Sequence, residues 1–150
     1  MEVEFKEQKS QPVLSIRTKT TLADLPKIIG DNYHKIAEYL EEMEEQPVDV
    51  PFTAYYNMDM QNLDVEMGFP VARLLPSKGD IKAGEIAEGP VATYMYKGSY
   101  SEMEPVYNEV FKQIAEKGCQ PKGVYYEYYY NSPGEVPESE LLTRIVIPIE

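Results

Sequence analysis

Apolar residues in this chain switch between two spacings, every second residue and every third or fourth, and they do so twice in the same order. Alternation over residues 3–7 and 13–18, interrupted by Ser10, Gln11 and Pro12, predicts a first pair of strands. Residues 81–87 and 91–96, interrupted by Glu88, Gly89 and Pro90, predict a second. Each pair reads as a hairpin, and a helical pattern follows each. Leu25, Ile28, Ile29, Ile36, Leu40 and Met43 make one buried stripe, and Met103, Val106, Val110 and Ile114 the other. The helix-entry prolines Pro26 and Pro105 are 105 − 26 = 79 positions apart. Thr21 with Asp24, and Ser101 with Glu104, read as capping boxes that satisfy orphan first-turn amides, where proline is tolerated. Gly118 supplies a left-handed stop for the second helix, whereas the first runs into the solvated acids Glu41, Glu42, Glu44 and Glu45 before Pro47.

After each helix the punctuation matches again: Pro51 leads to Tyr55-Tyr56, and Pro121 to Tyr125-Tyr126. Apolar strands over residues 64–71 and 143–149 close the two halves. The pattern predicts an α+β fold made by duplication of a hairpin-helix-hairpin unit in one domain over residues 1–150. Repeat one covers about residues 1–75 and repeat two about residues 76–150. The expected architecture is two antiparallel sheets with one long helix each, their uncovered faces meeting around a pseudo-twofold ligand groove.

Within that frame, five of the 13 tyrosines fall between Tyr125 and Tyr130, and the one break among them is Glu127. Strand alternation puts Tyr125, Glu127 and Tyr129 on one face and Tyr126, Tyr128 and Tyr130 on the other. A wall of rings around one carboxylate suits a flat apolar ligand, and a cationic one more, because ring quadrupoles and the carboxylate both attract positive charge. Matching Pro51 to Pro121 pairs Tyr55 with Tyr125 and puts Asn57 in the place of Glu127, so the expected site is asymmetric. Tyr96 and Tyr100 are further candidates, and Glu66 alternates away from Val65, Met67 and Phe69, toward solvent or the groove.

Composition narrows the partners. The excess of 26 acidic over 14 basic residues, a net charge of −12, repels phosphate backbones and anionic membrane surfaces, so no direct DNA binding and no membrane association are expected. No apolar run reaches bilayer length and residues 1–9 lack a signal-peptide core, which predicts a cytoplasmic protein. The single Cys119 reads as packing, in keeping with a reducing compartment, and the single His34 as a helix-flank residue. No metal-ligand spacing, phosphate-cradling loop or serine elbow is present, so neither a metal nor a cofactor is expected.

The chain resembles the GyrI-like small-molecule-binding domain family, which also supplies the effector-binding part of multidrug-responsive bacterial transcription activators. The resemblance rests on Gly89-Pro90-Val91-Ala92, Gly98-Ser99-Tyr100 before a helix bearing Tyr107, and Glu127-Tyr128-Tyr129-Tyr130-Asn131-Ser132-Pro133. Val136-Pro137-Glu138 with the run from Leu142 to Ile149, and Asp64 to Val71 in the first half, complete it. It implies a duplicated strand-helix-strand-strand fold with Glu127 central to a mostly aromatic pocket. Asn131-Ser132-Pro133 replaces a more usual Asn-Asp-Pro or Thr-Asp-Pro turn. The chain has no tryptophan, so Phe111 or a tyrosine takes a place that relatives often give to one.

The residues and the resemblance together imply a stand-alone protein that captures hydrophobic, often cationic, compounds through Glu127, Tyr55, Tyr125, Tyr129, Asn57, Tyr96, Tyr100 and Glu66. One alternative is a hydrolase of strained electrophilic natural products, with Glu127 as general base and Tyr129 orienting the substrate or donating a proton. The other is a protein-interaction module acting on DNA gyrase or a transcription regulator.

Overall fold

The computed structural model describes residues 1–150, which divide into two compact units, residues 9–88 and residues 1–8 with 89–150. The chain is α+β, with antiparallel strands and two long helices. In chain order the elements are β1 (Glu4–Gln8), β2 (Gln11–Thr20), α1 (Leu25–Glu42), β3 (Phe52–Tyr55), β4 (Leu63–Pro70) and β5 (Lys82–Ile86). There follow β6 (Gly89–Lys97), α2 (Met103–Glu116), β7 (Tyr125–Tyr129) and β8 (Leu142–Pro148).

In the unit of residues 9–88 the strands pair antiparallel in the order β3-β4-β2-β5. In the other unit the order is β7-β8-β6-β1, so the same sequence of pairings recurs. The two expected hairpins do not form: β1 pairs with β6, Glu4 facing Thr93, and β5 pairs with β2, Ile86 facing Gln11. Both edges of β2 are taken by β4 and β5, and both edges of β6 by β1 and β8, so neither strand has a free edge for its sequence neighbour.

Each helix covers one sheet face with the stripe that its spacing predicts. On α1, Ile36, Tyr39 and Leu40 pack with Leu14, Ile16, Val71 and Ile81, and Leu25 packs with Leu63, Val65 and Met67. On α2, Met103, Val106, Val110 and Ile114 pack with Ala92, Tyr96, Ile145 and Ile147. Burial of such stripes against a sheet, rather than helix propensity, holds helices of this length. Gly68 of β4 is needed where it stands: a Cβ there would lie 2.1 Å from the Leu14 carbonyl oxygen.

The helix ends follow the sequence in part. Thr21 Oγ1 accepts from the Asp24 amide at 3.3 Å, and Gly118, at φ +80°, closes α2. The Ser101–Glu104 capping box is absent. The chain enters α2 through a 3-10 turn over Tyr100–Glu102, in which backbone carbonyls take the first amides, and Ser101 Oγ lies 3.1 Å from Ser99 Oγ. Beyond α1 it is Glu44, at φ 59°, that makes the left-handed turn usually given to glycine. Glu44→Gly is therefore expected to raise stability by about 1 kcal/mol, read as a higher midpoint in urea with an unchanged slope. No helix is long and apolar enough to cross a membrane.

Candidate functional site

Strand β7 divides its side chains as alternation requires, and β8 confirms which side is which. Glu127 pairs with Ile145 and Tyr129 with Thr143, on the face that carries the α2 core, whereas Tyr126 pairs with Val146 and Tyr128 with Arg144 on the other. Arg144 lies over the Tyr128 ring, 4.4 Å from its centroid. The face bearing Glu127 is thus the helix-covered one. The expectation that the ligand wall occupies the sheet face without a helix is corrected here: α2 is amphipathic along more than its aliphatic stripe, and an aromatic edge beside that stripe meets β7.

That edge is Tyr107 and Phe111, one helical turn apart. Phe111 packs edge-on to Tyr125 with centroids 5.5 Å apart, and Tyr107 lies 6.5 Å from Tyr125 and 6.0 Å from Phe111. Tyr107 Oη donates to Glu127 Oε2 at 2.6 Å, and Tyr129 Oη donates to Glu127 Oε1 at 2.7 Å. Sequence reasoning did not place Tyr107 in the site. Its signal was an aromatic pair at an i, i+4 step flanking the apolar stripe, which puts both rings on the line of contact with a neighbouring strand.

Glu127 is 9 % exposed, and no lysine or arginine pairs with it. Burial pushes its carboxyl above the ordinary value of 4.5, and the hydrogen bonds from Tyr107 and Tyr129, which favour the charged form, only partly oppose this. Tyr107→Phe keeps the ring contacts and removes one donor. It is expected to raise the Glu127 carboxyl further, as followed by carbon-13 NMR titration.

Tyr100 is 41 % exposed; its ring meets Tyr129 edge-on at 6.0 Å, and its phenol is raised first by burial and then by the charge of Glu127. Tyr96 is a brace: buried in the α2 core, it donates to the Ser99 carbonyl at 2.8 Å and lies against Gly98. Its phenol is raised by burial above all, and then by Glu102. The structure therefore brings Tyr125, Glu127, Tyr129 and Tyr100 together, and adds Tyr107 and Phe111.

The candidates in the unit of residues 9–88 have other engagements. Tyr55 packs with the cluster of Leu25, Leu63, Val65 and Met67. Asn57 shapes the β3–β4 turn, accepting from the Asp64 amide and donating to the Asn62 carbonyl at 3.0 Å each. Glu66 is half-buried and accepts from Ser15 Oγ and Tyr56 Oη at 2.5 Å each, beside Arg17, which pairs with Asp64 at 2.9 Å and lies over the Tyr56 ring. The Arg17 pairing holds the Asp64 carboxyl below its ordinary range.

The pairing register also corrects the match between the halves. Val13 faces Pro70 as Val91 faces Pro148, a constant offset of 78 (91 − 13 = 148 − 70). By that offset Met67 corresponds to Ile145, so the counterpart of Glu127 is Thr53 and that of Tyr129 is Tyr55. Asn57 and Tyr125 were mismatched because Pro121 stands six residues before Glu127, whereas Pro51 stands two before Thr53. Thr53 Oγ1 lies 3.0 Å from Tyr33 Oη of α1, a neutral version of the Glu127–Tyr107 contact.

Two other features hold less chemistry. A concavity of about 380 Å³ at the end of α1 is bounded by Leu40, Pro47, Phe69 and the acids Glu41, Glu44 and Glu45. Its acids are at the rim, and Glu45 is paired with Arg73. No group of three His, Cys, Asp or Glu side chains is placed to hold a metal ion.

The chain resembles the EcmrR C-terminal domain, with 22% identity, a TM-score of 0.81 and coverage of 99% of this chain and 97% of that one. It also resembles EcmrR in a DNA complex, with 20% identity and a TM-score of 0.85, covering 99% of this chain but only 57% of the EcmrR chain. A structure described as a hydrolase from Listeria innocua aligns at 13% identity and a TM-score of 0.77, over 99% of this chain and 92% of its own. SAV2435 bound to tetraphenylphosphonium aligns at 10% identity and a TM-score of 0.69, over 100% and 94%. At these identities the likeness is one of fold. No curated protein sequence matches the chain. The model of the GyrI-like small molecule binding domain matches residues 1–150 in full, and the chain belongs to that family.

Proposed function

We propose that the chain captures hydrophobic, often cationic, small molecules at Glu127, as a sensor or as a sink that lowers their free concentration. The observation that carries this reading is a buried carboxylate, held by two phenols and walled by Tyr125, Tyr129 and Phe111, with no cation of its own. Phenol donors stabilise the charge without neutralising it, so a cationic guest with aromatic surface satisfies both the acid and the rings. That SAV2435 is seen with tetraphenylphosphonium supports a lipophilic cation as the first probe. The same order of pairings in both units supports a duplicated strand-helix-strand-strand repeat within a single domain over residues 1–150. Calorimetric titration with tetraphenylphosphonium and with neutral triphenylphosphine oxide tests the charge requirement. The cation is expected to bind more tightly, and equal affinities would reject the carboxylate as the anchor.

A hydrolytic reading has one observation of its own: a carboxyl raised by burial, 2.7 Å from the Tyr129 phenol, resembles a general base with a neighbouring proton donor. Turnover of an epoxide such as styrene oxide, lost in Glu127→Gln with the fold intact, would establish it. Absence of turnover at high enzyme concentration would reject it. A gyrase supercoiling assay tests the protein-interaction reading in the same way.

A further inference from the structure

We propose that Thr143 is a specificity-determining residue of the Glu127 site, whose hydroxyl hydrogen-bonds polar groups of a bound guest. The proposal rests on the capture reading and adds to it a preference for cations that also carry a donor or acceptor. Thr143 is on the Glu127 face of β8, between Tyr129 of β7 and Tyr96 of β6 in the pairing register. Its residue is 0 % exposed, and its Oγ1 is the chain's one buried hydroxyl without a hydrogen-bond partner. Two other buried hydroxyls are engaged: Ser15 with Glu66, and Thr53 with Tyr33.

An orphaned buried hydroxyl weakens a fold, and here the fold has no use for it. The register counterpart of Thr143, at the same offset of 78, is Val65, equally buried and likewise packed on the helix side. Valine has nearly the shape of threonine, so the other unit shows the position filled by an apolar group. Two differences at corresponding positions then coincide in one unit: Glu127 for Thr53, and Thr143 for Val65. Tyr129, the register partner of Thr143, meets the exposed Tyr100 edge-on at 6.0 Å. A guest that draws Tyr129 off Glu127 opens the route to the hydroxyl.

The experiment compares wild type, Thr143→Val and Glu127→Gln, each titrated with ethidium, a cation with aromatic amines, and with tetraphenylphosphonium, which has no hydrogen-bonding group. Thr143→Val is expected to lose about five- to tenfold in ethidium affinity. Its tetraphenylphosphonium affinity should stay within about twofold, and the empty protein should melt at a higher temperature. Equal losses for both cations, no loss for either, or a lower melting temperature would overturn the proposal. If Glu127→Gln leaves both affinities unchanged, it is the capture reading that fails. If Glu127→Gln weakens both while Thr143→Val weakens neither, only the role of Thr143 falls.

Discussion

Glu127→Gln is expected to weaken tetraphenylphosphonium binding by about ten- to hundredfold while making the empty protein more stable at neutral pH. The two effects have one cause. In the empty protein the carboxylate is buried with phenol donors and no counter-ion, so its charge opposes folding. Glutamine fills the same space, accepts from one tyrosine and donates toward the other, and removes that cost, worth roughly 1–3 kcal/mol. With a cationic guest in place the charge becomes the main attraction, and its loss is felt in full. Calorimetry reads both quantities on the same pair of proteins. A variant that is less stable and binds as wild type would show that Glu127 serves the fold and not a ligand.

Binding of tetraphenylphosphonium is further expected to release protons, and its affinity to rise with pH by up to about tenfold per unit below the raised Glu127 value. Burial in the empty site shifts the acid toward its protonated form, lifting its carboxyl above the ordinary 4.5. The occupied site favours the carboxylate, because a fixed positive charge stands against it. Binding must therefore expel a proton wherever the empty site holds one. The stability of the empty protein has the corresponding sign. A group raised on folding contributes stability that is complete below its unfolded value, near 4.5, and is lost as pH rises through its folded value. The stability gap between Glu127→Gln and wild type should accordingly close in acid and open toward neutrality. Titration in buffers of different ionisation enthalpy measures the released protons, and the release should vanish in Glu127→Gln.

Much of this arrangement is legible along the chain because its determinants are local. Stripes such as Leu25, Ile36 and Leu40, or Val106, Val110 and Ile114, announce helices whatever they pack on, and each buries the face that its spacing predicts. The alternation that separates Glu127 from Tyr126 and Tyr128 is a property of any strand. The hairpins failed for a different reason. A turn between β1 and β2 looks local, but pairing is chosen by the whole sheet, in which β2 already has β4 and β5 beside it. Tyr107 was read as a residue of the second helix and not of the site, because a tyrosine beside an apolar stripe gains meaning only when the strand it faces is known. The mismatch of Asn57 with Glu127 arose from counting residues after a proline, whereas correspondence between the units is set by hydrogen-bond register.

The sequence by itself determined the α+β class, the two helices with their buried faces, the family, and the single acid among the tyrosines of β7, since these follow from short-range spacing and residue chemistry. Only the tertiary structure decided that this acid lies under α2, that Tyr107 and Tyr129 both donate to it, and that Thr143 keeps a hydroxyl where Val65 has a methyl group. Those facts depend on which strands lie side by side and which helical edge meets them. They are set by contacts between residues far apart in the chain, which no local pattern encodes.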